Sequence, residues 1–169
     1  IQREWQAGDR LTLELPMQLE ASRWYDGAAV IERGPLLYAL KMHEKWEKKT
    51  MDPDKVKKYG EWYNEVQTDT PWNIALGAHQ LLPEQINDHF RVVKETTVAS
   101  YPWTRDTAPV TIKGKGYIIP SWTLYKGSAG SVSFYTQMGS DTTEEVEIEL
   151  IPYGCTTLRI TAFPVRNRQ

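Results

Sequence analysis

The chain has 169 residues (19.5 kDa), 40% of them hydrophobic and 25% charged, with a formal net charge of -2. A chain of this length buries roughly 70% of its unfolded surface, it is too apolar for a disordered polymer, and its charge is too balanced for a polybasic nucleic-acid binder. No apolar run approaches the roughly 20 residues of a bilayer-spanning helix, so neither nucleic acid nor membrane is expected as a partner.

The opening residues Ile1-Gln2-Arg3-Glu4-Trp5 carry neither a starting methionine nor an apolar signal core, which points to a processed chain or a fragment. Ala7-Gly8-Asp9 supplies turn chemistry, and Leu11, Leu13 and Leu15 then alternate with Thr12 and Glu14, the period of a half-buried strand that Pro16 stops or confines to an edge. Two β-prone runs, Val30-Ile31 and the nearly all-apolar 36–40, flank the turn Glu32-Arg33-Gly34-Pro35. Further short strands are predicted over 90–98, 110–112, 117–119, 131–137, 145–151 and 157–163. Val146, Ile148 and Leu150 alternate with Glu145, Glu147 and Glu149, and Leu158, Ile160 and Ala162 alternate with Thr157, Arg159 and Thr161. The last two runs read as a hairpin across Pro152-Tyr153-Gly154. Short strands at this spacing, separated by turn signals, predict an all-β fold, a jelly-roll-like β-sandwich, with a small barrel as the alternative of similar pattern.

One segment breaks the rhythm. Residues 41–66 are rich in Lys and Glu, and Asp52-Pro53 followed by Gly60 predicts a short helix inside an inserted excursion that folds back over the sheet with Trp46, Trp62 and Tyr63. The chain thus reads as one domain, 1–169, with 41–66 as an insertion.

Carboxylates are plentiful: Asp9, Glu14, Glu32, Asp69, Asp106 and the set Glu144, Glu145, Glu147 and Glu149. A glycosidase would need two of them about 5 to 9.5 Å apart, one held in an apolar pocket that raises its pKa. No spacing here specifies such a pocket, and the alternating Glu set describes a solvated strand face. His43, His79 and His89 are too widely spaced for two ligands on one helical face, so no metal site is predicted. Cys155 is the single cysteine, which excludes an internal disulfide framework and leaves the compartment open; after a turn glycine it reads as a structural thiol. Gly114 and Gly116 lack the phosphate-loop pattern and read as a turn or bulge.

Aromatic residues form the strongest chemical signal: seven Trp and nine Tyr against three Phe. Rings with a polar handle favour places packed at one end and wet at the other, which suits both sugar platforms and domain interfaces. Trp24-Tyr25, Pro71-Trp72-Asn73, Tyr101-Pro102-Trp103 and Trp122 with Tyr125 are the clusters. Trp72, Tyr101 and Trp103 are the candidate carbohydrate-binding residues, because Pro102 stiffens the loop presenting Trp103 and lowers the ordering cost of binding.

Several strings together carry a resemblance. Arg3-Glu4-Trp5-Gln6-Ala7-Gly8-Asp9-Arg10, Leu13-Glu14-Leu15-Pro16-Met17 and Glu32-Arg33-Gly34-Pro35-Leu36-Leu37-Tyr38-Ala39 open it. Pro71-Trp72-Asn73-Ile74-Ala75-Leu76, Ala108-Pro109-Val110 with Ile112-Lys113-Gly114-Lys115-Gly116, Trp122, and the closing Leu150-Ile151-Pro152-Tyr153-Gly154-Cys155-Thr156-Thr157-Leu158-Arg159-Ile160-Thr161-Ala162-Phe163-Pro164 continue it. In order and spacing they resemble the region that follows the catalytic barrel in the β-L-arabinofuranosidase family, glycoside hydrolase family 127 and its relatives. The resemblance implies β-sandwich domains behind a helical barrel, with the catalytic glutamate and a zinc-bound cysteine cluster in the barrel, and it makes residues 1–17 either an intrinsic strand or the last strand of a preceding sandwich. It therefore implies no catalytic residue, no metal ligand and no cofactor in this chain, zinc being expected only in the parent's barrel.

The expectation is a non-catalytic C-terminal accessory domain that packs on and stabilises the upstream catalytic domain of the same polypeptide. Trp5, Trp24 and the strand after Gly34 would supply core or inter-domain contacts. The alternative is an autonomous carbohydrate-binding module that takes an oligosaccharide on its loop aromatics; a self-contained hydrolase stands behind both. The parent's substrate and linkage are not encoded in these residues.

Overall fold

A computed structural model of the chain describes residues 2–132 and 144–167. Strands account for 38% and helix for 12%, and the fold is all-β and sandwich-like, built on a curled multi-strand sheet with two small sheets. In chain order the elements are β1 (Leu19–Arg23), β2 (Ala29–Arg33), β3 (Leu36–Leu40), β4 (Lys45–Thr50), α1 (Val56–Tyr59), β5 (Trp62–Gln67), β6 (Ile74–Gly77), α2 (Ile86–His89), β7 (Arg91–Lys94), β8 (Val110–Ile118), β9 (Leu124–Tyr125), β10 (Ser128–Ala129), β11 (Glu145–Pro152) and β12 (Val165–Arg166).

The main sheet runs β1-β2-β3-β11-β8-β6-β12, with β7 also paired to β8. The β2–β3 hairpin forms where the Gly-Pro break predicts it. Arg33 pairs with Leu36 across the two-residue loop, and Gly34 takes a φ of +56°, a conformation side chains rarely adopt. β8 is the hub. One of its edges pairs with β11 from Ile112 to Tyr117, and the other is shared by β7, opposite 110–113, and β6, opposite Tyr117 and Ile118.

The core lies inside the curl: Ala29, Ile31, Tyr38, Leu40, Ile74, Leu76, Ile112, Leu150 and Phe163 belong to one buried cluster. The segment 160–166 laces the curl. Ile160 O accepts from Leu40 N, Phe163 exchanges backbone hydrogen bonds with Ala29 on β2, and β12 runs parallel to β6 through Val165 and Leu76.

Four sequence expectations are corrected here. First, 11–15 is not a half-buried strand: Leu11, Leu13 and Leu15 are 62%, 75% and 74% exposed, and no strand pairs with them. Alternation supplies a face, but a strand needs a neighbour to fill its ladder. Second, 110–112 and 117–118 are parts of one nine-residue strand, β8, which stops short of Ile119 and has Gly114 and Gly116 inside it. A Cβ on Gly114 would collide with the Phe90 ring and one on Gly116 with Ile74, so these glycines allow close packing rather than a turn or bulge. Third, 157–163 is not the hairpin partner of β11, whose edges are taken by β8 and by β3 together with Lys41, whose N–H donates to Glu149 O. Fourth, the strand expected over 90–98 ends at Lys94. The strand expected over 131–137 falls, from residue 133 onward, outside the described residues.

The insertion holds the predicted helical turn, α1, closed by Gly60 at φ +91°, but at the tip of a six-rung antiparallel hairpin, β4–β5. This hairpin belongs to neither the main sheet nor the β9–β10 pair, and Trp46, Tyr59, Trp62 and Tyr63 on it are exposed.

Candidate functional site

The three candidate sugar-binding rings do not stand together. Trp72 precedes the fully buried Ile74, Ala75 and Leu76 of β6 and is itself half-buried, packed edge-on against buried Trp122 with ring centroids 5.2 Å apart. Trp122 is fixed by its Nε1–H donating to Gly130 O at 2.9 Å, and Asn73 locks the node by donating its side-chain N–H to Ile119 O at 2.6 Å. The signal was local: Pro71-Trp72-Asn73 resembles a loop, yet it opens an all-apolar strand.

Tyr101 and Trp103, by contrast, line one cleft of about 540 Å³ and are 66% and 43% exposed. Trp46, 54% exposed, joins them from β4, and sequence reasoning assigned it only to the insertion. No local signal links Trp46 to Tyr101; the fold brings the hairpin base, the loop 101–107 and the turn after β11 to one place.

Glu44 organises this place. Its Oε1 accepts from Thr157 N at 2.8 Å and Leu158 N at 3.3 Å, while its Oε2 accepts from Trp46 Nε1 at 3.2 Å. The loop 101–107 is tied internally: Thr107 Oγ1 donates to Tyr101 O at 3.0 Å and meets Thr104 Oγ1 at 2.6 Å. Arg105 holds Asp106 with two N–H bonds, at 3.0 and 3.1 Å, which raises the guanidinium pKa and lowers the carboxyl pKa. Arg159 lies 4.4 Å over the Tyr153 ring.

Cys155 sits beneath the cleft with Ala108 and Ile151, its thiol donating to Pro102 O at 3.7 Å. Burial pushes its pKa up, the opposite of what a nucleophile needs. Among the carboxylates with shifted pKa values, Asp69, Asp106, Glu145 and Glu149, every shift is downward, each caused first by a hydrogen bond from Lys or Arg. A general acid needs the reverse. Glu20 and Glu32 are cross-strand partners on β1–β2 and line one open recess with Pro16, Gln18 and Gly34. Among the described residues no group of three or more His, Cys, Asp or Glu is placed to hold a metal ion, and with Cys155 buried alone the donor set does not fit a zinc–cysteine cluster.

A larger recess, about 920 Å³, opens between β1 and β7, and among the described residues no aromatic ring lines it. Comparison with protein-family models, with curated proteins and with solved structures gives no match to this chain. The fold is all-β and sandwich-like, and Trp46, Tyr101 and Trp103 line one cleft of it.

Proposed function

We propose that this chain is a non-catalytic accessory β-sandwich of a glycoside-hydrolase-like protein of the β-L-arabinofuranosidase kind, packed on and stabilising an upstream helical-barrel domain of the same polypeptide. The observation that carries the reading is the arm 2–17. Leu11, Leu13 and Leu15 share a segment that pairs with no strand among the described residues, Trp5 lies on the other side of the turn at Ala7-Gly8, and all four are more than half exposed. Burying three such leucines is worth about 1.5–3 kcal/mol each, so a chain that displays them in a row has a surface to meet. Exposed Trp24 offers a further contact. The order of the residue strings that resemble the family supports the identity of that surface. The downward carboxylate shifts and the raised Cys155 thiol support placing bond cleavage elsewhere.

The test is hydrolysis by the purified chain of aryl arabinofuranoside, galactoside and xyloside substrates, with and without zinc. The expected result is no turnover above buffer. Turnover without zinc that survives Cys155→Ala and vanishes on one carboxylate substitution contradicts the proposal.

A further inference from the structure

We propose that the cleft between the loop 101–107, the base of the β4–β5 hairpin and the turn after β11 binds a neutral oligosaccharide, with Trp46, Tyr101 and Trp103 as its stacking surfaces. This goes beyond the accessory role and does not depend on it.

The rings are both exposed and held. Trp46 has its only polar handle engaged by Glu44, which leaves the indole faces for contact, and Glu44 is itself fixed by two backbone N–H groups of the turn after β11. The loop carrying Tyr101 and Trp103 is closed on itself through Thr107 and joined to the same turn by the Cys155–Pro102 contact. Rigid aromatic faces bind the C–H face of a sugar ring with little ordering cost, the condition under which stacking becomes affinity.

The polar groups argue for hydroxyls and against an apolar protein surface. Arg105 and Asp106 pair with each other through one edge, and among the described residues no other hydrogen bond engages their remaining N–H groups and lone pairs beside the rings. An apolar partner would strip these of water without replacing the bonds, at a cost of about 1–3 kcal/mol per group; vicinal hydroxyls replace them. The charges cancel: Glu44 and Asp106 stand against Arg105 and Arg159, all lining the same cleft. With no net field to attract a uronate or sulfate, the complementary ligand is uncharged. Leu11, Leu13 and Leu15, outside the cleft, are a more apolar stretch and suit a different partner.

The experiment is calorimetric titration of the chain, read in parallel by tryptophan fluorescence, with arabino-, xylo-, cello- and manno-hexaose and with an oligogalacturonate as the charged comparison. At least one neutral hexaose is expected to bind saturably. Trp103→Ala and Trp46→Ala are each expected to weaken that binding about tenfold or more, and Trp24→Ala, outside the cleft, to leave it unchanged. If an alanine variant loses its cooperative melting transition, Trp46→Phe and Trp103→Phe take its place, and an intermediate affinity is expected. Silence across the neutral panel, binding that survives both cleft substitutions, or a preference for the acidic oligomer that salt abolishes would overturn the proposal. Shortening of the hexaoses during titration would strike the non-catalytic reading instead and leave the binding site standing.

Discussion

Gly114 and Gly116 show how a single missing methyl sets the thickness of this domain. Each lies in β8 under an apolar side chain from a neighbouring element, Phe90 and Ile74 respectively, close enough that a Cβ has no room. Gly114→Ala or Gly116→Ala is expected to cost about 1–3 kcal/mol through overpacking. For a chain this size that lowers the thermal midpoint by about 2–4 °C per kcal/mol. Gly154→Ala, where nothing lies within 4 Å, is expected to change stability by no more than about 0.5 kcal/mol. Equal midpoints for all three variants would contradict the packing described for β8. At this scale the sequence announces a residue's type but not its neighbour. The exposure of Tyr101 and Trp103 was legible because a proline-stiffened loop presents both rings. Trp72 was misread because a ring beside Pro and Asn looks the same in a loop as at the mouth of a buried strand. Trp46 was missed because its partners come from distant parts of the chain.

The β4–β5 hairpin is held at its base by Asp69, which lies 2.7 Å from Lys45 and 3.0 Å from His43 Nδ1. The Lys45 hydrogen bond, with that of His43 second, lowers the Asp69 pKa to about 2. A carboxyl whose folded pKa is depressed contributes stability that is present above its unfolded value and disappears as pH falls through the folded one. The account predicts that an NMR titration finds Asp69 still ionised when ordinary aspartates have protonated, and that Lys45→Ala moves its midpoint up. An ordinary midpoint in the unsubstituted chain would contradict this anchoring. Elements also divide by legibility. The β2–β3 turn and β11 could be read because local chemistry decides them: Gly34-Pro35 for the first, strict alternation of Val146, Ile148 and Leu150 for the second. Pairing could not be read. Alternation in 157–163 correctly marks a wet side at Arg159 and a drier one at Leu158 and Ile160. Which strand edge that segment meets is settled by the curl of the sheet, with Leu40, Ala29 and Leu76 as its backbone partners.

Across the whole molecule, two kinds of surface stand apart. The cleft is lined by aromatic side chains and by charges of both signs; the arm 2–17 presents Leu11, Leu13 and Leu15 to solvent. The core closes without the arm, since the segment 160–166 already bridges β2 and β6, and the buried cluster begins at Leu19. The all-β class was legible in the sequence because turn signals and strand lengths recur throughout it. The role of the arm was not, because a period of two identifies a face while leaving its partner unnamed. The most direct measurement is a thermal melt of the chain carrying Leu11→Ser, Leu13→Ser and Leu15→Ser together. An unchanged melting midpoint is expected, because these leucines lie outside the chain's own buried core. A drop of several degrees would mean that they belong to that core, and would contradict the reading of 2–17 as a docking arm.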